Sequence, residues 1–245
     1  MQPNDPDIVI LADHLTVRFG DSVALHDISI GIPGNTLAVI IGSPGAGKTA
    51  LMKALSCELP WGDGSIWIDE VPARIWPPKK LASCRIQCPL DSARPCERTV
   101  TEVLCADIIS PQQQHAKHLE QALDLLGVVH LAGRRCASLT QRDSRRLELA
   151  FTLARLMDTE GARHLWLDDP LDGLDNLHQH RLLAWLRTKA QTLRSTLITM
   201  SDQSLARSYA GHVILLREGK LISEGEPDVA LSAANLTTAF GAPRR

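Results

Sequence analysis

Aromatic residues are scarce in this chain: three Phe, five Trp and one Tyr among 245 positions. That scarcity argues against a surface on which nucleic-acid bases stack. Neither sign of charge dominates, with 26 Lys and Arg against 28 Asp and Glu and a formal net charge of −2. No global field favours a polyanion, so nucleic acid is not expected as a partner. No stretch approaches the roughly 20 apolar residues of a membrane span. The acidic, polar start from Met1 to Asp7 lacks the order of a secretory leader. The expectation is a cytosolic protein, or one peripheral on a membrane through partners. Cys-x-x-Cys pairs are missing too. In a cytosolic protein Cys57, Cys84, Cys88, Cys96, Cys105 and Cys136 are read as reduced thiols; Cys84, Cys88 and Cys96 lie close together, and without such a pair a metal site there is the lesser reading. His115 and His118 can share a helix face and are read as surface residues.

What the chain does have is enough apolar material, 44 % of its residues, to bury the core of one domain with a subdomain. Its most informative run is Gly42-Ser43-Pro44-Gly45-Ala46-Gly47-Lys48-Thr49. The run follows the apolar stretch Leu37–Ile41 and precedes a helix-like stretch from Ala50. This is a G-x-x-x-x-G-K-[ST] phosphate loop in its strand–loop–helix setting. Glycines let the backbone curl so that N–H groups point inward at phosphate, and the next helix offers its positive end. Lys48 is placed to reach the β- and γ-phosphates of a nucleotide, and Thr49 to hold Mg²⁺. Such a loop needs a second acid for Mg²⁺, at the end of a neighbouring apolar strand. His164–Leu167 is such a strand, and Asp168-Asp169-Pro170 follows it. Asp168 is the candidate metal contact and Asp169 the candidate general base. A helix N-cap role for one of the two carboxylates is the alternative.

The pattern along the chain predicts strands at Ile8–Ala12, Leu15–Phe19, Ala24–Ile32 and Thr36–Ile41, with turns at Asp21 and Pro33–Asn35. A helix runs to about Cys57, Gly62-Asp63-Gly64 makes a turn, and Ser65–Asp69 is a strand. Apolar residues at helical spacing predict helices over Val100–Ile109, Gln112–Leu126 and Arg142–Leu156, with Gly127 closing the second. The basic first turn of the third opposes the helix dipole, so its arginines need an external reason or a solvated face. Further on come a helix over Leu177–Gln191, a strand over Ser195–Met200 and a short helix near Gln203–Tyr209. A hairpin of Val213–Leu216 and Lys220–Ser223 closes the series. Strand–helix alternation around a phosphate loop implies an α/β sheet with parallel strands, and the helical middle reads as an insertion.

These residues resemble the ATP-binding subunit of ATP-binding-cassette (ABC) transporters over nearly the whole chain. Gly42–Thr49 is similar to the Walker A loop, with Ala50 next to it, and Leu165–Asp168 to Walker B. Pro170–Asp175 resembles the D-loop, with Gly173-Leu174-Asp175 for the usual Ala-Leu-Asp. Phe19 stands where the family places an aromatic on adenine, and the Arg217–Lys220 hairpin is similar as well. Asp175–Leu183 resembles a His-Gln-His segment of haem-importer ATPases. Trp76 with Leu81-Ala82, and Thr99–Val103, resemble their stretches around the Q-loop. The resemblance implies a P-loop NTPase core with an N-terminal antiparallel β-subdomain and an inserted α-helical subdomain. The core would span about 1–90 and 157–245, and the helical part about 91–156. It implies ATP and Mg²⁺ as ligands, a second ATP-binding subunit, and a membrane permease beside the Q-loop and the helical insertion. A periplasmic binding protein would act indirectly, and the chain would sit on the cytoplasmic face of the inner membrane.

Four places depart from the family pattern. The Q-loop glutamine falls on Leu90, which cannot coordinate Mg²⁺; Asp91 could substitute after a one-residue shift. The signature, Leu-Ser-Gly-Gly-Gln or Glu, aligns with Leu139-Thr140-Gln141-Arg142-Asp143. Thr140 keeps a hydroxyl for an opposing γ-phosphate, but Gln141 and Arg142 replace glycines whose backbone approaches it. Arg142 either crowds that approach or offers its guanidinium as an arginine finger. Asp169 is a shorter base than the family's glutamate, and Ser201 stands where the switch histidine is expected. The expectation is haem-importer ATPase ancestry with normal ATP binding and weak hydrolysis. The competing expectation is a binding module in which ATP is a structural or regulatory ligand.

Overall fold

The computed structural model describes residues 7–76, 85–87, 98–102, 113–158 and 163–241, with 85–87 and 113–115 described by backbone alone. Leu81, Ala82, Leu90, Asp91, Cys84, Cys88, Cys96 and Cys105 lie outside the described residues, as does the His115 side chain.

The strands are β1 (Ile8–Phe19), β2 (Ser22–Pro33), β3 (Leu37–Ile41), β4 (Asp63–Ile68), β5 (Val71–Pro72), β6 (Arg85–Gln87), β7 (His164–Leu167), β8 (Ser195–Met200), β9 (His212–Arg217) and β10 (Lys220–Gly225). Among the described residues they form two sheets, an antiparallel one ordered β2-β1-β4-β5 and a larger one ordered β10-β9-β3-β8-β7-β6. In the larger sheet β9, β3, β8, β7 and β6 run parallel, and only β10 returns antiparallel.

The first two expected strands are one. β1 shifts register against β2 between Ala12 and Leu15, where His14 takes a φ of 50° and its N–H donates to Ser29 Oγ. This irregularity switches the inward parity, so that Ile10, Ala12, Leu15 and Val17 are all buried. The Gly62–Gly64 turn is also corrected: Asp63 and Gly64 open β4. A Cβ at Gly64 would stand 2.3 Å from the His14 carbonyl, so this glycine serves a close strand approach.

All five residues of β3 are buried, as expected for a parallel strand covered on both faces. Leu37, Val39 and Ile41 point into one core with Leu165, Leu167, Ile198 and Met200. Ala38 and Ile40 point into the other with Trp166 and Leu197. That second core sandwiches α1 (Lys48–Leu55) between the sheets through Leu51, Met52, Ala54 and Leu55. The first core takes α2 (Gln113–Leu125), α3 (Gln141–Asp158), α4 (Asn176–Ala190), α5 (Gln203–Tyr209), α6 (Pro227–Ala230) and α7 (Ala233–Phe240).

Local chemistry sets several helix ends. Gly127, at φ 65°, closes α2: its N–H donates to Asp124 O and that of Val128 to Leu123 O, a Schellman pattern. Thr99 and Glu102 exchange side-chain-to-backbone bonds of 2.7 and 3.2 Å, a capping box at the start of the helix over Val100–Glu102. The rest of the Val100–Ile109 helix lies outside the described residues. His118 is not an open surface residue: its Nδ1 lies 2.6 Å from Asp158 Oδ1, tying α2 to α3.

At the N-terminal ends of β7 and β8, buried His164 and Trp166 share Ser195 Oγ, each at 2.9 Å. His164 Nε2 lies 3.4 Å from Asp69 of the antiparallel sheet's β4–β5 turn. Arg194 reaches the same carboxylate at 3.2 Å. Burial pushes the Asp69 carboxyl up, but His164 and Arg194 together hold it below its ordinary range.

Candidate active site

The phosphate loop joins β3 to α1 at the C-terminal edge of the larger sheet. Gly45 and Gly47 take φ values of 80° and 100°, a region that only glycine enters without strain. A Cβ at Gly42 would stand 2.5 Å from Leu216 O and 2.7 Å from Ala46 Cβ. The tip of the β9–β10 hairpin braces the loop. Gly219 N–H donates to Ala46 O at 3.0 Å, and Gly219 O accepts from His26 N at 2.8 Å. Lys48 folds back over the loop, its Nζ donating to Gly42 O at 2.8 Å and Ser43 O at 3.2 Å. Burial lowers the Lys48 pKa, against an upward pull from Asp169 and then Asp168. Beside α1 a cavity of about 490 Å³ is lined by Phe19, Thr49, Ala50, Lys53, Glu58 and Leu59. Phe19 is 52 % exposed and open to stacking.

The strand carrying the acids is not the direct neighbour of β3. β8 lies between β3 and β7, and a residue of β8 that motif reading passed over spans the gap. Thr199 Oγ1 donates to Asp168 Oδ1 at 2.6 Å and accepts from Asp169 N at 2.7 Å. Its only sequence signal is a third hydroxyl, after those of Ser195 and Thr196, near the end of a buried strand. Asp169 takes a φ of 46°, a region tolerated better by Asp than by longer side chains. Burial raises the Asp169 pKa, helped by Asp172 and Asp168 and opposed by Lys48 and Arg145. Lys48, Asp168, Asp169 and Thr199 thus form one electrostatic group. Ser201 is exposed just beyond β8.

The loop from Pro170 to Asp175 is held from two sides. Asp175 caps α4, accepting from His178 N at 2.9 Å, and its carboxylate lies 2.8 Å from His178 Nδ1. The Gln179 amide donates to Leu171 O and Leu174 O, at 3.4 and 3.2 Å. His180 Nδ1 lies 2.8 Å from the Tyr209 hydroxyl. From the other side, Arg142 Nε donates to Gly173 O at 2.5 Å, and Arg145 pairs with the Asp172 carboxylate. Arg146 reaches Leu126 O at 2.5 Å. The basic first turn of α3 thus has its external reason. Thr140 caps that helix: its hydroxyl donates to Asp143 Oδ2 at 2.8 Å and accepts from Asp143 N at 3.1 Å.

Residues 25–172 match the family model described as ABC transporter. The chain belongs to the ABC transporter family. It is 31 % identical to the hemin import ATP-binding protein HmuV of Gloeobacter violaceus, covering 95 % of this chain and 87 % of that one. The cbiO1 subunit of the ABC transporter complex cbiONQ from Clostridium perfringens superposes with a TM-score of 0.71 at 21 % identity, covering 96 % of each chain. An ABC cassette in its ADP conformation gives a TM-score of 0.72 at 18 % identity, covering 96 % of this chain and 99 % of that one. At these identities the two structures establish the fold, a P-loop core with an antiparallel sheet and added helices.

As an ABC ATPase domain, the chain has ATP as its ligand. Thr49 lines the cavity beside α1 and the Asp168 carboxylate acts on Lys48 next to it; a hydroxyl and a carboxylate are oxygen donors of the kind Mg²⁺ takes. Among the described residues no three His, Cys, Asp or Glu side chains gather as a preformed metal cage. No helix among them is long and apolar enough to cross a membrane.

Proposed function

We propose that this chain is the ATP-binding subunit of an importer, with haem as the cargo suggested by kinship, and that it couples ATP binding and hydrolysis to a separate membrane permease. It acts as a peripheral subunit on the cytoplasmic face of the membrane, paired with a second ATP-binding subunit. A periplasmic binding protein serves the complex from the other side. The observation that carries this reading is the joint placement of the glycine-built loop, Lys48 and the Thr199-bridged acids at one sheet edge.

Phe19 stacks the adenine, and Thr49, Ala50 and the Gly42–Thr49 backbone enclose the phosphates. Lys48 leaves the carbonyls of Gly42 and Ser43 for the β- and γ-phosphates. Thr49 and Asp168 would hold Mg²⁺, which would supply charge neutralisation to the phosphates. Asp169 takes a proton from the attacking water, and a carboxyl raised above its ordinary range is the better base. Ser201 contributes one hydrogen bond near the same water. Thr140 offers its hydroxyl to the nucleotide of the opposing subunit once freed from Asp143. The helical subdomain of about 91–156 forms part of the permease contact.

A second reading is favoured by one observation: the signature end of α3 is filled by side chains bonded within the chain. In that reading hydrolysis is impaired and ATP holds a closed dimer as a regulatory or structural ligand. Steady-state ATP turnover by the purified chain, with and without permease and against Lys48→Ala, tests both. Turnover well above the Lys48→Ala background supports the motor. Background turnover with ATP still bound supports the regulatory role.

A further inference from the structure

Arg142 stands where the family has a signature glycine and Arg145 follows three residues on; both turn to the same loop of their own subunit. Arg142 bonds the Gly173 carbonyl, and Arg145 pairs with the Asp172 carboxylate. That loop begins at Asp169: Asp172 N–H donates to Asp169 O, and Leu174 N–H donates to Leu171 O, each at 3.1 Å. Glycine at 173 matches this arrangement. A Cβ there would stand 2.8 Å from Arg142 Cγ, so the family's alanine would press on the side chain that replaced its signature glycine. We propose that Arg142 and Arg145 are positioning residues that fasten the D-loop in cis and thereby set the turn carrying Asp169, and that Arg142 does not serve as an arginine finger for a partner's nucleotide.

The geometry separates these roles. An arginine finger must leave its guanidinium free to reach phosphate across an interface. Arg142 instead spends its Nε–H on a backbone acceptor 31 positions away, and Arg145 spends its charge on Asp172. With His178 and Gln179 holding the other side of the same loop, the D-loop is tied to both α3 and α4. Gly173 is needed twice, since its φ of 79° alone strains any side chain. A double-mutant cycle cancels that strain, which is present in both backgrounds.

The test uses the full-length chain without nucleotide, and hydrogen exchange at the Asp172 and Leu174 amides. Arg142→Ala and Arg145→Ala should each speed exchange there about tenfold, with Leu182 and Leu183 of α4 unchanged. Gly173→Ala should add less in the Arg142→Ala background than in the native one. Unchanged D-loop exchange in the double arginine variant, or equal acceleration along α4, would overturn the proposal. Turnover in the assembled transporter supplies the functional readout, because this part rests on the ATPase reading. Arg145→Ala should lower kcat about fivefold with KM for ATP within about twofold, and Arg145→Lys should restore part of it. A loss of kcat in Arg142→Ala with native D-loop exchange would identify an arginine finger and sink the cis assignment. Binding of a fluorescent ATP analogue to the native chain is measured separately. Its absence would defeat the ATPase reading and leave the exchange result to stand or fall by itself.

Discussion

Two halves of this molecule, the phosphate loop and the signature turn at the start of α3, are built from opposite materials. The phosphate-loop half is backbone: glycines at 42, 45 and 47 bring the chain close to a ligand, and Gly219 props the loop from behind. The signature half is side chain: Thr140, Asp143, Arg142 and Arg145 complete hydrogen bonds and ion pairs inside the same subunit. A backbone cradle is ready for phosphate because nothing has to be displaced except Lys48. A side-chain cluster already satisfied in cis must break bonds before it can serve a nucleotide held by another subunit. On the proposed function, nucleotide capture would fall to the first half, and the second would have to rearrange before it could serve turnover.

The largest effect that would break this contrast is at Lys48. Lys48→Ala should lower turnover about a hundredfold, whereas Thr140→Ala should change ATP affinity of the free chain little. Equal losses of binding affinity in the two variants would show that capture is shared between the halves. Next comes Gly42→Ala, whose Cβ meets Leu216 O and Ala46 Cβ. It should cost about 2–3 kcal/mol in denaturant melts, together with ATP binding. Asp169→Glu sharpens the contrast from the catalytic side. A longer carboxylate should raise turnover about tenfold if reach to the water limits it. No gain would place the limit in the signature half. Its φ of 46° makes the exchange somewhat strained, so thermal stability should fall slightly.

The smallest effect belongs to neither half. Burial pushes Glu224 on β10 up to about 7, despite a hydrogen bond from Gly31 N–H. Because the native state keeps a proton that the unfolded chain releases above the ordinary 4.5, stability should fall as pH rises from there through about 7. Glu224→Gln should therefore stabilise by about 1 kcal/mol at pH 8, after discounting for its partial exposure, and by almost nothing at pH 4. A pH-independent difference in melting temperature would refute the assignment.

Much of the framework was legible because its signals are local. β7, β8 and α5 fall where the local pattern placed them, and β7 in particular is a continuous apolar run of the kind that a strand buried on both faces needs. The break in β1 was misread as a boundary because one irregular pair at Asp13-His14 looks like a turn. Gly64 was misread because glycine marks both turns and close strand contacts, and only the His14 carbonyl distinguishes them.

By itself the sequence determined the phosphate loop, the acid pair after an apolar strand, and the alternation of strands and helices. All of these are set by residues adjacent along the chain. Only the tertiary structure decided that β8 lies between β3 and β7, which makes Thr199 the bridge between the loop's strand and Asp168. Only it decided that Arg142 and Arg145 of α3 face the Pro170–Asp175 loop of their own chain. A guanidinium pairs with whichever acceptor the fold brings within reach. Its partners here lie 27 and 31 positions away, beyond anything that spacing or periodicity records.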